Sequence, residues 1–209
     1  MKLSSNWNKD LKKEAIIAQY LDIYFYSNPI FTNWIRIKKI ELQKEGIDTI
    51  IDVSKYNITN GFVDEKSQIY YTNGGLPTFA FELNYFNKQN KRIEGWLTDF
   101  KKKTEYYLLI WLTAKSNFSS LDEIYKIEFA LIERNKILNY LGTYNLDITN
   151  LKLKGFEIAK SNLFRQEKID NKDFWFTHST QLKESPVNIV IKKSTLLKIS
   201  TLNGIINTK

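Results

Sequence analysis

The run Gly46-Ile47-Asp48-Thr49-Ile50-Ile51 and, a turn later, Gly61-Phe62-Val63-Asp64-Glu65-Lys66-Ser67-Gln68 decide how this chain is read. Their β-branched and aromatic content predicts neighbouring strands over Thr49–Val53 and Gly61–Gln68, separated at Asn60-Gly61. Alternate residues of a strand share a face, so Phe62, Asp64, Lys66 and Gln68 point one way and Val63, Glu65 and Ser67 the other. Asp48 at the head of the adjacent antiparallel strand brings a second carboxylate beside Asp64. Two such oxygens with room for water and phosphate suit magnesium. A nearby lysine can then orient or deprotonate an attacking water and stabilise developing phosphorane charge.

Composition narrows the chemistry to the same residue types. The 209 residues include no cysteine and one histidine, His178. Disulfides, thiolate-held zinc, cysteine nucleophiles and imidazole clusters are therefore excluded, and a metal would have to be held by oxygen, which favours magnesium, manganese or calcium. The formal charge of +8 suits a polyanionic partner, and the excess leans C-terminal, with 15 basic and 10 acidic residues after Thr113. Met1 to Asn6 runs into Lys9, Asp10, Lys12, Lys13 and Glu14 without an apolar stretch, so a cytoplasmic location is expected. No apolar run approaches the ~20 residues of a membrane helix, and no membrane association is expected.

Leu11, Ala15, Ile16, Ala18, Leu21 and Phe25 recur at helical spacing from Asp10 to about Tyr26, ahead of Pro29. Trp34–Leu42 reads as a weaker helix or irregular stretch. Thr78–Phe86, Arg92–Leu97 and Tyr106–Thr113 read as further strands, and the turn-like breaks between them favour an antiparallel meander. Beyond Ser119, alternation of Tyr125, Ile127, Phe129 and Leu131 competes with a capping box at Ser120-Leu121-Asp122-Glu123. Arg134–Leu141 and Ser194–Leu202 read as helices, Asp173–Thr177 and Val187–Ile191 as strands.

Asp48, fifteen intervening residues, then Asp64-Glu65-Lys66 resembles the PD-(D/E)XK signature of restriction endonucleases, Holliday junction resolvases and phage recombination nucleases. Ile47 stands where the name-giving proline would be. The surrounding text, with Leu76-Pro77-Thr78-Phe79-Ala80-Phe81-Glu82 and Gly95-Trp96-Leu97, is similar to small uncharacterised phage and bacterial proteins of that superfamily. The resemblance spans about Asp10 to Thr113. It implies an α/β fold, a central mixed β-sheet flanked by helices in a restriction-endonuclease-like core, with a mixed α/β C-terminal part. It also implies Mg2+ or Mn2+ on Asp48 and Asp64, the backbone carbonyl of Glu65 as a further ligand, and Lys66 activating water. A helix glutamate before the first aspartate often assists; Glu14 is the natural candidate, with Glu41 and Glu45 as rivals.

The expectation is thus a nuclease core over 1–113 and a basic part over 114–209 that selects substrate or packs on the core. The function expected is metal-dependent phosphodiester hydrolysis, as a DNA endonuclease of restriction, recombination or phage type. DNA is preferred to RNA only through the resemblance. The alternatives are an RNA endonuclease on the same site and a non-catalytic nucleic-acid-binding or interaction protein. Phosphate contacts are expected from Lys101, Lys102, Lys103, Lys192 and Lys193. A homodimer is compatible with duplex cutting, although no helix carries heptads. Glu82 is a further candidate acid, and His178 is assigned no role.

Overall fold

The computed structural model describes residues 7–161, 167–168 and 173–208. The opening Met1–Asn6, part of the N-terminal reading above, lies outside them. The chain is a mixed α/β protein whose residues cluster into two compact units that interleave in sequence. Among the described residues, one comprises 7–76, 103–133 and 200–208; the other comprises 77–102, 134–161, 167–168 and 173–199. The expected boundary between 113 and 114 falls inside a strand, Tyr106–Ala114, of the first unit.

The first unit holds helices α1 (Trp7–Tyr24) and α2 (Ile40–Lys44) and strands β1 (Asn33–Arg36), β2 (Thr49–Val53), β3 (Ile58–Ser67), β6 (Tyr106–Ala114), β7 (Ile124–Glu133) and β11 (Leu202–Asn207). They form one mixed sheet ordered β1-β2-β3-β6-β7-β11. Only β3 and β6 run parallel, with Asp64 opposite Tyr107 and Lys66 opposite Leu109. A parallel pair needs a long crossover, and the stretch from Pro77 to Lys102, which supplies it, belongs to the second unit. That corrects the antiparallel meander.

The core of this unit forms where α1 buries Ile17, Tyr20 and Leu21, and Phe25 just past it, against Val53, Val63, Leu108, Ile110, Ile127, Phe129 and Leu131. The stripe repeats every three to four residues, as an amphipathic helix on a sheet requires. Leu11, Ala15 and Ala18, expected on the same buried face, instead line a cleft.

In the second unit, β4 (Thr78–Phe86), β5 (Arg92–Glu94), β8 (Glu167–Lys168), β9 (Phe174–His178) and β10 (Val187–Lys192) form an antiparallel sheet ordered β5-β4-β10-β9-β8. It is accompanied by α3 (Arg134–Gly142), α4 (Ile148–Lys160) and α5 (Lys193–Ile199). Gly155 lets α4 approach β4: a Cβ there would stand 2.6 Å from the Asn84 side chain and 3.1 Å from Leu83 Cβ.

Several local readings change. Trp34–Leu42 is not one helical stretch: its first part is β1, held by main-chain pairing from Asn33–Asp52 to Arg36–Thr49. The strand read to Leu97 ends at Glu94. The Ser120 capping box yields a single 3-10 turn, Leu121–Glu123, before β7. The closing helix stops at Ile199, and Leu202–Asn207 pairs with β7 as an edge strand. Helix α4, capped by the Asp147 carboxylate accepting from the Asn150 N–H, was not read from the sequence.

Leu108 is fully buried on β6 in the first unit's core, whereas Ile205 on β11 is 56% exposed. Leu108→Ala is expected to cost about 2–5 kcal/mol, because the transfer loss adds to the cavity left behind. Ile205→Ala is expected to cost below about 1 kcal/mol. Urea denaturation of the two variants measures the contrast.

Candidate active-site cleft

The site begins with the way α2 ends. The Gly46 N–H donates to the Gln43 carbonyl (2.9 Å) and the Ile47 N–H to the Leu42 carbonyl (3.1 Å), a Schellman closure with Gly46 at φ +80°. Ile47 is buried and anchors the exit. The chain is thereby aimed into the sheet. The Asp48 N–H donates to the Val63 carbonyl and its own carbonyl accepts from the Ile37 N–H, both at 2.8 Å.

Thr49 opposite Val63 is where the pairing of β2 with β3 stops. From Asp64 to Ser67, β3 is paired on its β6 side only. Asp48 Oδ2 fills the gap, accepting from the Glu65 N–H at 2.8 Å. This opening in the sheet is the floor of a cleft of about 680 Å³. Glu14, Asp48, Asp64, Glu65 and Lys66 all line it, with Leu11, Ala15 and Ala18 of α1 on one side and Arg36, Ile40, Gln43 and Lys44 on another. The alternation read from the sequence holds here: Asp64 and Lys66 lie on one face and meet, with Lys66 Nζ 2.5 Å from Asp64 Oδ1.

The Glu65 carboxylate turns the other way, and its Oε1 takes three partners. It pairs with Arg36 Nη1 at 2.7 Å and accepts from the Tyr26 hydroxyl (2.7 Å) and Thr49 Oγ1 (2.9 Å). Arg36 in turn grips Asp22 on α1, through Nη2 at 2.5 Å and Nε at 3.0 Å, and lies over the Tyr26 ring. Burial alone would lower the Arg36 pKa, but Glu65 and Asp22 more than offset it and raise it. Burial, reinforced by the Glu65 charge, pushes the Tyr26 hydroxyl well up, so it stays a donor. Glu65 therefore braces α1, β1 and β3 together. The signals available in the sequence, Arg36 at the end of a short strand and Tyr26 on a helix terminus, become meaningful only once the pairing of β1 with β2 is known.

The floor is electrostatically strained. Burial raises the Asp48 pKa to about 7; Lys66 opposes the shift, while the neighbouring Asp64 and Glu65 charges add to it. Desolvation raises Glu14 as well, with Lys66 opposing and Asp10 and Asp64 adding. Burial lowers Lys66, but Asp64, Asp48 and Glu14 outweigh it and keep the ammonium more firmly protonated than usual. These carboxylates answer one another and a single lysine, and a cation among them would relieve the repulsion. Among the described residues no three Asp, Glu or His side chains gather closely enough to hold a metal by themselves. Two hard carboxylates with water completing the shell fit magnesium, which keeps several waters, and the donor set is compatible with that ion in kind.

Of the rival helix acids, Glu14 lines the cleft, whereas Glu45 pairs with Lys103 at 2.9 Å and Glu41 is exposed on α2. Glu82 stands on β4 in the second unit, and His178, fully buried on β9, meets Ser185 Oγ at 2.9 Å. Lys101, Lys102, Lys192 and Lys193 belong to the second unit, where Lys192 pairs with Asp173 at 2.7 Å. Lys103 belongs to the first. No helix among the described residues is long and apolar enough to cross a membrane.

Two outcomes follow from these charges. In protein free of divalent cations, a folded-state Asp48 pKa near 7 against the usual 3.8 means that the native state binds the proton more tightly. Its stabilising contribution is complete below about pH 4 and is lost as pH rises through about 7. Asp48→Asn, which keeps an oxygen for the Glu65 N–H, should flatten the fall in stability over that window, as measured by urea midpoints in EDTA. Second, Arg36 and Glu65 side chains are only 15% and 10% exposed. Arg36→Met, which strands the Glu65 carboxylate, should cost about 3–5 kcal/mol, and adding Glu65→Gln should recover much of it.

The chain matches no protein-family model, no curated protein and no solved structure to which it was compared.

Proposed function

We propose that the first unit is a divalent-metal-dependent nuclease of restriction-endonuclease-like type that hydrolyses phosphodiester bonds, with DNA as the favoured substrate. The observation that carries the reading is the meeting of Asp48, Asp64, Lys66 and Glu14 in one cleft at an opening between two strands. The sequence pattern links the first three residues, and Glu14 joins them from a separate helix.

Asp48 and Asp64 are the residues that would hold Mg2+ or Mn2+, with Glu14 assisting. The ion, when bound, would supply Lewis-acid polarisation of the phosphoryl group and a more acidic water. Lys66 is kept charged by the surrounding carboxylates. Its ammonium therefore acts as a hydrogen-bond donor to a phosphate oxygen and to the attacking water, stabilising charge that develops in the transition state. Asp48 also fixes the β3 main chain through the Glu65 N–H, which sets where Asp64 and Lys66 stand. The Glu65 side chain contributes as the brace between strand and helix, leaving its carbonyl as the group available to a metal.

Purified protein with magnesium or manganese is expected to nick or cut DNA. Asp64→Asn and Lys66→Met should each lower the cleavage rate by at least about 10²-fold, measured on protein that circular dichroism shows to be folded at the assay temperature. Parallel panels of single-stranded DNA, duplex DNA and RNA identify the substrate. Preferential RNA cleavage by the same residues would assign an RNA endonuclease. Binding without any cleavage would assign a nucleic-acid-binding protein.

A further inference from the structure

The acidic floor poses a problem for the substrate just proposed. Glu14, Asp48 and Asp64 stand around the Lys66 ammonium, while the neighbouring Arg36 guanidinium is committed to Glu65 and Asp22. A phosphodiester strand is repelled by such a surface unless positive charge stands beside it. The cleft wall formed by the β1–α2 segment supplies that charge. Between Arg36 and Lys44 it carries four basic residues and one acid, Glu41. Arg36, Ile40, Gln43 and Lys44 line the cleft, and Ile40 is 60% exposed.

Lys38 and Lys39 stand in the chain between the cleft-lining Arg36 and Ile40. Both are exposed, and neither forms an ion pair with any described residue. Four lysines elsewhere are matched with acids, Lys103 with Glu45, Lys115 with Glu123, Lys152 with Glu94 and Lys192 with Asp173, and what distinguishes Lys38 and Lys39 from other exposed lysines is their place beside the cleft. The segment is also well anchored. The Ile37 N–H is held by the Asp48 carbonyl and the Gln43 side chain donates to the Ile37 carbonyl at 3.0 Å. The two lysines are thus carried on main chain that is hydrogen-bonded directly to Asp48.

We propose that Lys38 and Lys39 form a phosphate-holding lip that grips the backbone of one nucleic-acid strand beside the carboxylate floor. The proposal rests on the nuclease reading and moves substrate holding from the lysines of 101–103 and 192–193 to the β1–α2 segment. The chemistry recognised is the phosphodiester backbone, common to DNA and RNA.

The test is fluorescence anisotropy of end-labelled single-stranded DNA and of RNA of the same sequence, with calcium in place of magnesium, over a range of salt concentrations. The full chain is compared with Lys38→Gln/Lys39→Gln and with Lys55→Gln, an exposed lysine beyond the end of β2 opposite Asp48. The double variant should bind about tenfold more weakly near 0.1 M salt. Its slope of log affinity against log salt should shrink by about 0.7 for each lysine, while Lys55→Gln keeps the original slope. An unaltered slope in the double variant overturns the lip, as does a full chain that binds neither strand. Cleavage is scored separately with magnesium and manganese. A full chain that binds through Lys38 and Lys39 yet cuts nothing rejects the nuclease reading and leaves the lip in place. One that cuts while the double variant binds normally rejects the lip alone.

Discussion

The ion pair between Arg36 and Glu65 is the constraint on which the cleft depends. It joins the last residue of β1 to the C-terminal part of β3, and Arg36 continues to Asp22 on α1 while Tyr26, just past the helix, closes the same carboxylate. Three elements that are remote in sequence are therefore fixed to one group. Such a pair adds little net stability over an apolar replacement, since desolvation offsets attraction, but losing one member leaves a buried charge uncompensated. Its value lies in specificity of placement. With α1 and β3 tied together, Glu14 on the helix and Asp64 and Lys66 on the strand have a defined spacing.

The second consequence concerns the sheet. β2 pairs with β3 only as far as Thr49 and Val63, so the end of β3 bearing Asp64 to Ser67 is left without a strand on one side. An exposed main-chain edge needs a partner, and the Asp48 carboxylate provides one acceptor in place of a strand. The same device crowds negative charge, and the raised Asp48 and Glu14 pKa values record the cost. Charge that is unfavourable for folding and concentrated in a cleft is a recurrent sign of a site shaped by chemistry.

Much of the local structure was legible in the sequence. Thr49–Val53 and Thr78–Phe86 are strands with the residues expected, because β-branched and aromatic runs bounded by turn residues carry a local signal. The face alternation that set Asp64 and Lys66 together also followed from strand geometry alone. β1 was missed because four residues with two β-forming positions, Trp34 and Ile35, between polar ends give little signal without a neighbour. β11 was missed because it follows a helix directly and relies on pairing with β7. The C-terminal strand and the inserted unit show why a single cut near Thr113 could not be tested by composition: contacts across 70 residues leave no compositional boundary.

By itself the sequence determined the chemistry available: no thiol, one histidine, and carboxylates and lysine placed by strand alternation on one face. Only the tertiary structure decided that β3 pairs in parallel with β6 across a crossover, that Glu14 rather than Glu41 or Glu45 lines the cleft, and that the Glu65 side chain serves as a brace. The physical reason is that each of these depends on groups distant in the chain competing for one location. Periodicity reports which way a side chain faces within its own element, whereas desolvation and charge pairing decide which element it meets.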